Sequence, residues 1–348
     1  MDEPPRHSSR LASVGHWFGG WSGRLTFLWL LVGHGPASAS PPTPFPWRTV
    51  VVDGKEYVRA ADVAAFYRFD RHFEEDRSTW FQSPTLAMRW ERESPVVVVN
   101  DMKFIASTQI VKHEGDVLIS RSDLVKWIEP LLRPRHVKEA ESFDTVVVDP
   151  GHGGLDNGTR GRLGEEKTYT LDVGLRLRDE LLRRGFRVVM TRQTDISVPK
   201  GVRGELATAV GRCVLVSLHF NQNASPSVHG LETYAMTPVG MASSNDSRPG
   251  MEAALGFNGN LLENASVALA AAVHSQILHR CGPNDRGVRR ARFAVLKDAA
   301  RAAILVEGGY LSNAAENARI HMPEHRARLA SAIAEGVSHY REAIHQSR

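Results

Sequence analysis

The sequence predicts an α/β protein: a twisted, mainly parallel sheet flanked by helices, preceded by a small α+β domain. Three observations predict this. Beyond residue 144, runs such as "TVVVD" (145–149), "FRVVMTR" (186–192), "CVLVSLH" (213–219) and "AAILVE" (302–307) are apolar without polar alternation. Helical patterns separate them, as expected for strands buried on both faces of a parallel sheet. Upstream, residues 47–130 carry a different pattern of short strands and turns, and the charged segment "RPRHVKEAES" (133–142) lies between the two regions.

With 348 residues, 42% hydrophobic and 24% charged, the chain has room for two domains or one large one and the composition of a globular protein. Its net charge of +4 is dispersed, which argues against nucleic acid as a partner and leaves room for attraction to an acidic polymer. The two cysteines, Cys213 and Cys281, exclude a cysteine-rich zinc module and a disulfide scaffold; both are expected to be free thiols.

Taken in order, residues 1–39 read as a signal peptide. Arg6, Arg10 and Arg24 precede "LTFLWLLV" (25–32), too short to span a bilayer, and Ala37-Ser38-Ala39 has the small-x-small form of a cleavage site. Export, most simply to the periplasm, is therefore expected, with no transmembrane segment in the mature chain. A proline-rich spacer (40–46) follows. Within 47–130, "DGKEYVRAADVAAFY" (53–67) and "EGDVLISRSDLVKWI" (114–128) form a faint repeat. Each has an acidic-Gly turn, an apolar pair (Tyr57-Val58, Leu118-Ile119), and then, after three residues, Asp62 or Asp123. This reads as turn, strand and a helix capped by that Asp or the residue before it. "VVVVNDMKFIAS" (96–107) reads as a hairpin across Asn100-Asp101. The unit weakly resembles the N-terminal domain of copper amine oxidases, without a convincing copper ligand cluster, and is expected to bind or scaffold. Residues 131–143 read as a linker.

In the remaining region, 144–345, helices are expected over 169–185, with Leu171, Leu175, Leu177, Leu181 and Leu182 near one face, over 265–279, and from 323 to 345. Ligands of open α/β sheets gather at the carboxyl ends of the strands. His152 stands there, just past 145–149, on a loop whose glycines look flexible enough to aim it; His219 and Glu307 end their own strands, and Glu166 opens the helix after the glycine loop. Two histidines and a carboxylate are the ligand set of a catalytic zinc site, which lowers the pKa of water to about 7. A second carboxylate is then needed to move protons.

The motifs "DPGHGGLDNGTRG", "EEK", "TRQTD", "SLHFN", "GLETY", "RGVRRARFAVL" and "LVEGGYLSN" occur in the order found in the zinc-dependent N-acetylmuramoyl-L-alanine amidases, and the chain resembles that family over 144–345. The resemblance implies a helix-flanked twisted sheet, one zinc ion and hydrolysis of the amide joining N-acetylmuramic acid to L-alanine in peptidoglycan, for wall remodelling or daughter-cell separation. It implies that His152, Glu166 and His219 bind zinc and that Glu307 is the catalytic carboxylate; the ligand directly precedes lysine, which selects Glu166 over Glu165. Arg203 and Asn221 fall on motif positions as candidate substrate-binding residues, or as groups that only hydrogen-bond within the loop and strand end. "AVGRC" (209–213) departs from the family pattern, with local packing at stake. Residues 235–264 read as a loop with a short helix near Met251–Leu255. Some members of the family carry an occluding insertion here that a protein activator displaces; this one is short for that and is expected to face substrate. Rival readings are a zinc peptidase acting on stem peptides and a non-catalytic peptidoglycan-binding protein.

Overall fold

The computed structural model describes residues 47–244, 246 and 249–345; the signal peptide and proline-rich spacer expected upstream lie outside the described residues. The N-terminal part contains β1 (Thr49–Val52), β2 (Lys55–Arg59), α1 (Ala60–Tyr67), β3 (Arg71–Glu75), β4 (Ser78–Gln82), β5 (Ala87–Glu91), β6 (Val96–Val99), β7 (Met102–Ile105), β8 (Val111–His113) and β9 (Asp116–Ser120). A helical stretch follows, formed by α2 (Arg121–Asp123), a π-helical turn (Leu124–Ile128) and α3 (Glu129–Leu132). The faint repeat is a structural one. Its two strands, β2 and β9, pair antiparallel at the centre of a sheet ordered β1-β2-β9-β8, and each runs directly into a helix. The turns Asp53-Gly54, Asn100-Asp101 and Glu114-Gly115 all have positive φ at both residues, the backbone twist that suits a two-residue hairpin. The helices start earlier than their aspartates suggest. Arg59 and Ser120 occupy the N-cap positions, Ser120 Oγ accepts the Asp123 N–H, and Asp123 instead accepts the N–H groups of Ser107 and Thr108.

The C-terminal part contains β10 (Thr145–Pro150), α4 (Glu166–Arg183), β11 (Arg187–Met190), α5 (Lys200–Val210), β12 (Cys213–Asn221), β13 (Leu231–Met236), α6 (Glu263–Cys281), β14 (Asp285–Ala291), α7 (Ala294–Lys297), β15 (Ala302–Tyr310), α8 (Ala314–His321) and α9 (Pro323–His345). The expected strands and helices are all there, shifted by a few residues at their ends. In α4 the buried stripe is Tyr169, Thr170, Val173, Leu177 and Leu181, and Leu182 points to solvent. The pairs β11–β10, β10–β12, β12–β15 and β13–β14 are parallel, and β13 runs antiparallel to β15. The sheet is mainly parallel here, and its faces carry two cores. One joins Val146, Val148, Val214, Val216, Ile304 and Val306 to α4, α6 and α9; the other joins Val147, Leu215, Ala303 and Leu305 to α5 and α7. Cys213 and Cys281 are free.

The boundary between the two parts differs from the sequence reading. Strands β3 to β7 form an antiparallel meander that continues the main sheet, giving eleven strands in the order β11-β10-β12-β15-β13-β14-β7-β6-β5-β4-β3. The junction is β7 on β14, through Val288 and Phe104, which covers an edge that would otherwise expose unpaired backbone. Buried Arg290 of β14 lies 4.1 Å over the Trp127 ring, and Lys126 pairs with Glu263 at 2.5 Å. The expected linker is packed too: Pro134 and Val137 are buried, and Phe143 stacks on Phe186 and Tyr340. One large apolar core runs through both parts, so the charged sequence of 133–142 marks surface and not a break between bodies.

Helices α6 and α9 cross at Gly336, where an added Cβ would lie 2.4 Å from Val273 Cα and 2.8 Å from the Ala272 carbonyl oxygen. Backbone cannot yield as a side chain would. Gly336→Val is expected to cost about 1–3 kcal/mol by overpacking and to lower the melting temperature by several degrees, measured by thermal unfolding.

Candidate active site

The carboxyl ends of β10, β12 and β15 converge, and the site is built from what leaves them. Asp149, fully buried, accepts hydrogen bonds from Thr191 Oγ1 (2.6 Å), Ser217 Oγ (2.7 Å) and Arg203 Nη1 (2.6 Å). Arg203 also donates to the carbonyls of Pro150 (2.9 Å) and His152 (2.8 Å). Arg192, also buried, donates to those of Pro150 (2.9 Å), Gly151 (2.9 Å) and Lys167 (2.8 Å). Two guanidinium groups thus clamp the backbone through His152, which is held at φ +61°.

This corrects the idea of a flexible loop aiming the histidine. The glycines are needed for close approach: a Cβ on Gly151 would lie 2.3 Å from the His219 ring, and one on Gly158 would lie 2.6 Å from both Glu166 Oε2 and His152 Cδ2. Arg203, a candidate substrate contact in the sequence, spends these hydrogen bonds on the protein's own backbone and Asp149, so it positions His152. Asn221 borders the cavity, but its amide donates to Glu232 Oε2 (2.9 Å) and its side-chain oxygen accepts the Gln222 N–H (2.8 Å).

His152, Glu166 and His219 come together, with one ligand atom from each inside a 4.8 Å cluster. Both imidazoles face the same oxygen: His152 Nε2 is 3.0 Å and His219 Nδ1 is 2.9 Å from Glu166 Oε1, and the rings are 4.9 Å apart at 80°. Phe220 N–H (3.1 Å) and Thr159 N–H (2.8 Å) hold the two carboxylate oxygens from behind. His152 Nδ1 lies at ion-pair distance, 2.9 Å, from Asp156 Oδ2, without hydrogen-bond alignment. A carboxylate behind the outer nitrogen is the support that metal-binding histidines generally have.

Glu307 joins this cluster through sheet register. It is the direct partner of His219 across β12–β15 and of Glu232 across β13–β15, so the three share one face. Glu307 Oε2 is buried with no hydrogen-bond partner. Burial, then the charges of Glu166 and Glu232, push its carboxyl well above the usual range. Glu166 goes the other way: burial would raise it, but the hydrogen bonds and charges of His152 and His219 outweigh burial and hold it well below that range. Two carboxylates in one cavity are thus shifted in opposite directions, Glu166 down and Glu307 up.

These residues line a cavity of about 500 Å³ with an apolar wall that includes Val198, Phe293 and Val295. Residues 235–264 are expected to face substrate, but none of the described residues among them lines it. Gly259 packs on the Leu296 carbonyl, and Pro238 and Met241 each accept a hydrogen bond from Arg292 Nη2 at 2.8 Å, so the loop braces the turn that carries Phe293. Its short helical turn is Met251–Ala254. The sequence reading missed Asp149, Asp156, Arg192 and Glu232 as individual residues, although all four lie inside or at the edge of quoted motifs.

A family profile described as N-acetylmuramoyl-L-alanine amidase matches residues 146–339, more than half of the chain. The chain belongs to the N-acetylmuramoyl-L-alanine amidase family. Among curated relatives, it is 29% identical over 199 residues to N-acetylmuramoyl-L-alanine amidase LytC of Bacillus subtilis, covering 57% of this chain and 36% of that protein. It is 27% identical to AmiA of Escherichia coli, covering 64% of this chain and 84% of that one, and 31% identical to AmiC of Neisseria meningitidis, covering 56% and 52%. The chain therefore spans about a third of LytC and about half of the Neisseria protein. Among solved structures, amidase AmiC2 of Nostoc punctiforme is similar at 34% identity and a TM-score of 0.47, covering 56% of this chain and 96% of that one.

In this amidase-family site, Gly158→Ala is expected to weaken the capacity of the His152–Glu166–His219 cluster to hold a divalent metal about tenfold or more, read by competition with a chromogenic chelator. The added methyl group would strike both His152 and Glu166, while far-ultraviolet circular dichroism should be unchanged.

Proposed function

We propose that this chain is a zinc-dependent hydrolase that cleaves the amide between N-acetylmuramic acid and L-alanine in peptidoglycan. The observation that carries this reading is the pairing of a His152–Glu166–His219 cluster with a separate, partnerless and protonatable Glu307 on the same face of the sheet. Family membership supplies the bond and the substrate class. The donor set fits zinc: two imidazole nitrogens and a carboxylate oxygen, backed by Asp156 and two backbone N–H groups, with cavity in front.

When bound, zinc supplies Lewis-acid activation of water and of the scissile carbonyl. The chain's own residues do the rest. Glu166 stays ionised between its histidines and keeps the ligand oxygen in place. Asp149, Arg192 and Arg203 fix the backbone that presents His152, so the geometry is set before substrate arrives. Glu307 accepts the proton of the attacking water on its buried carboxylate and returns it to the alanine nitrogen as the C–N bond breaks, so that a neutral amine leaves.

Export to the periplasm completes the proposal. It is supported by the basic, apolar and Ala37-Ser38-Ala39 pattern of residues 1–39, and among the described residues no helix is long and apolar enough to cross a membrane. Residues 47–130 are proposed to serve binding and scaffolding and not catalysis.

Glu307→Gln is expected to retain one zinc per chain and lose about 10²- to 10⁴-fold in turnover of purified sacculi, whereas His152→Ala loses the metal. Mass spectrometry of the digest should show intact glycan and free peptides beginning with alanine. Cleavage within the peptides would instead identify a peptidase, and zinc-loaded protein that leaves sacculi intact would refute hydrolysis.

A further inference from the structure

The meander β3 to β7 has two unequal faces. Phe81, Met88, Trp90, Val97, Val99, Met102 and Phe104 point into the core, while the alternate residues keep solvent exposure. The outward side chains include Arg71, Phe73, Trp80, Arg89, Val98 and Lys103. A sheet face in contact only with water has no need of this aromatic and cationic content. Phe73 and Trp80 lie parallel with centroids 6.3 Å apart; Arg71 covers Phe73 at 5.1 Å and Arg89 covers Trp80 at 5.4 Å. The rings and guanidinium groups therefore brace one another in a fixed row, at little entropic cost to any later contact.

Strand pairing links that row to the active site, with buried Glu232 and Gly287 between the two. Glu307 pairs with Glu232, Glu232 with Gly287, Lys103 with Val98, Val98 with Arg89, Arg89 with Trp80, and Trp80 with Phe73. Between these pairings, a Cβ on Gly287 would meet the Lys103 carbonyl oxygen at 3.1 Å, which places the two side by side. Glu307 lies on the sheet face opposite the core that the meander's inner residues join, so the outward row and Glu307 share a face. The row spans seven strand spacings, about 34 Å at ordinary sheet dimensions. Arg286 and Arg289 stand between cavity and meander, both hydrogen-bonded to buried Glu232. Acidic groups on the outer face, Glu75 and Glu91, lie off this row, although Glu91 pairs with Arg89 at 2.9 Å.

We propose that this outer face is a docking track for the peptidoglycan polymer, along which a strand extends from the catalytic cavity across Lys103 and Arg89 to Trp80 and Phe73. The inference rests on the proposed amidase function for the identity of the polymer. A glycan bearing acidic peptides offers carboxylates to the cations, and apolar sugar C–H groups to the rings and Val98, which suits a surface mixing arginine and aromatic side chains. Cleavage at the cavity would then be coupled to retention of the rest of the strand.

The experiment uses the full chain with purified sacculi and, separately, a soluble muramoyl peptide. Trp80→Ala, and independently the charge reversal Arg89→Glu with Lys103→Glu, should reduce both co-sedimentation with sacculi and their hydrolysis by about tenfold. Soluble-substrate turnover should stay within about twofold of the parent, which also reports that each variant is folded. Glu307→Gln should still co-sediment. Unchanged co-sedimentation of both variants overturns the proposal, as does a parent dimer that these substitutions dissociate while sacculus binding persists, which would assign the face to a second copy of the chain. Co-sedimentation is read without turnover, so a failure of the amidase reading shows separately, as a parent protein that binds sacculi and cleaves neither substrate.

Discussion

The structure depends on one carboxylate oxygen. Glu166 Oε1 faces His152, His219 and the Phe220 N–H, groups from two separate stretches of the chain, while Oε2 is held by Thr159. An ionised carboxylate as buried as this is tolerable only with such partners. The rest of the local architecture reads as what it takes to bring them there. Glycine stands at 151 and 158 because any side chain would enter the cluster, and Arg192 and Arg203 hold the carbonyls that the tight turn leaves without secondary structure.

The opposite treatment of Glu307 follows from the same crowding. Its buried Oε2 is given no donor among the described residues, and the carboxylates of Glu166 and Glu232 lie close enough to repel its charge. Glu232 would compound that repulsion were its charge not spread over Arg286, Arg289, Tyr234, Tyr310 and Asn221. The reversal of direction between β15 and β13 matters here. It pairs Glu307 with Glu232 directly, and so ties the reacting group to the arginine-bearing strand β14 and, through it, to the meander.

Much of this was legible in the amino-acid sequence. Continuous β-branched runs identify β10, β12 and β15, because buried parallel strands have no polar face, and a polar residue ending such a run marks the rim where sites form. His152, His219 and Glu307 were legible for that reason. Strand β14 was not, because Asp285, Arg286, Arg289 and Arg290 make it look exposed; the partners of its arginines, among them Glu232 and Trp127, come from distant stretches. Strands β3 to β5 escaped notice because each is only five residues long and half of each faces outward. The glycines are ambiguous in the sequence, since flexibility and close approach look alike until the neighbour that would collide is known. Asp149 gave a signal, a charge at the end of an apolar run, but the Arg203 clamp that it anchors could only be seen once the strands were paired.

The two cysteines bear on where such a molecule can operate. Burial pushes the Cys213 and Cys281 thiols up to about 11. At neutral pH only roughly one in ten thousand would be the nucleophilic thiolate. Once folded, the chain therefore offers an oxidising compartment little thiolate to couple.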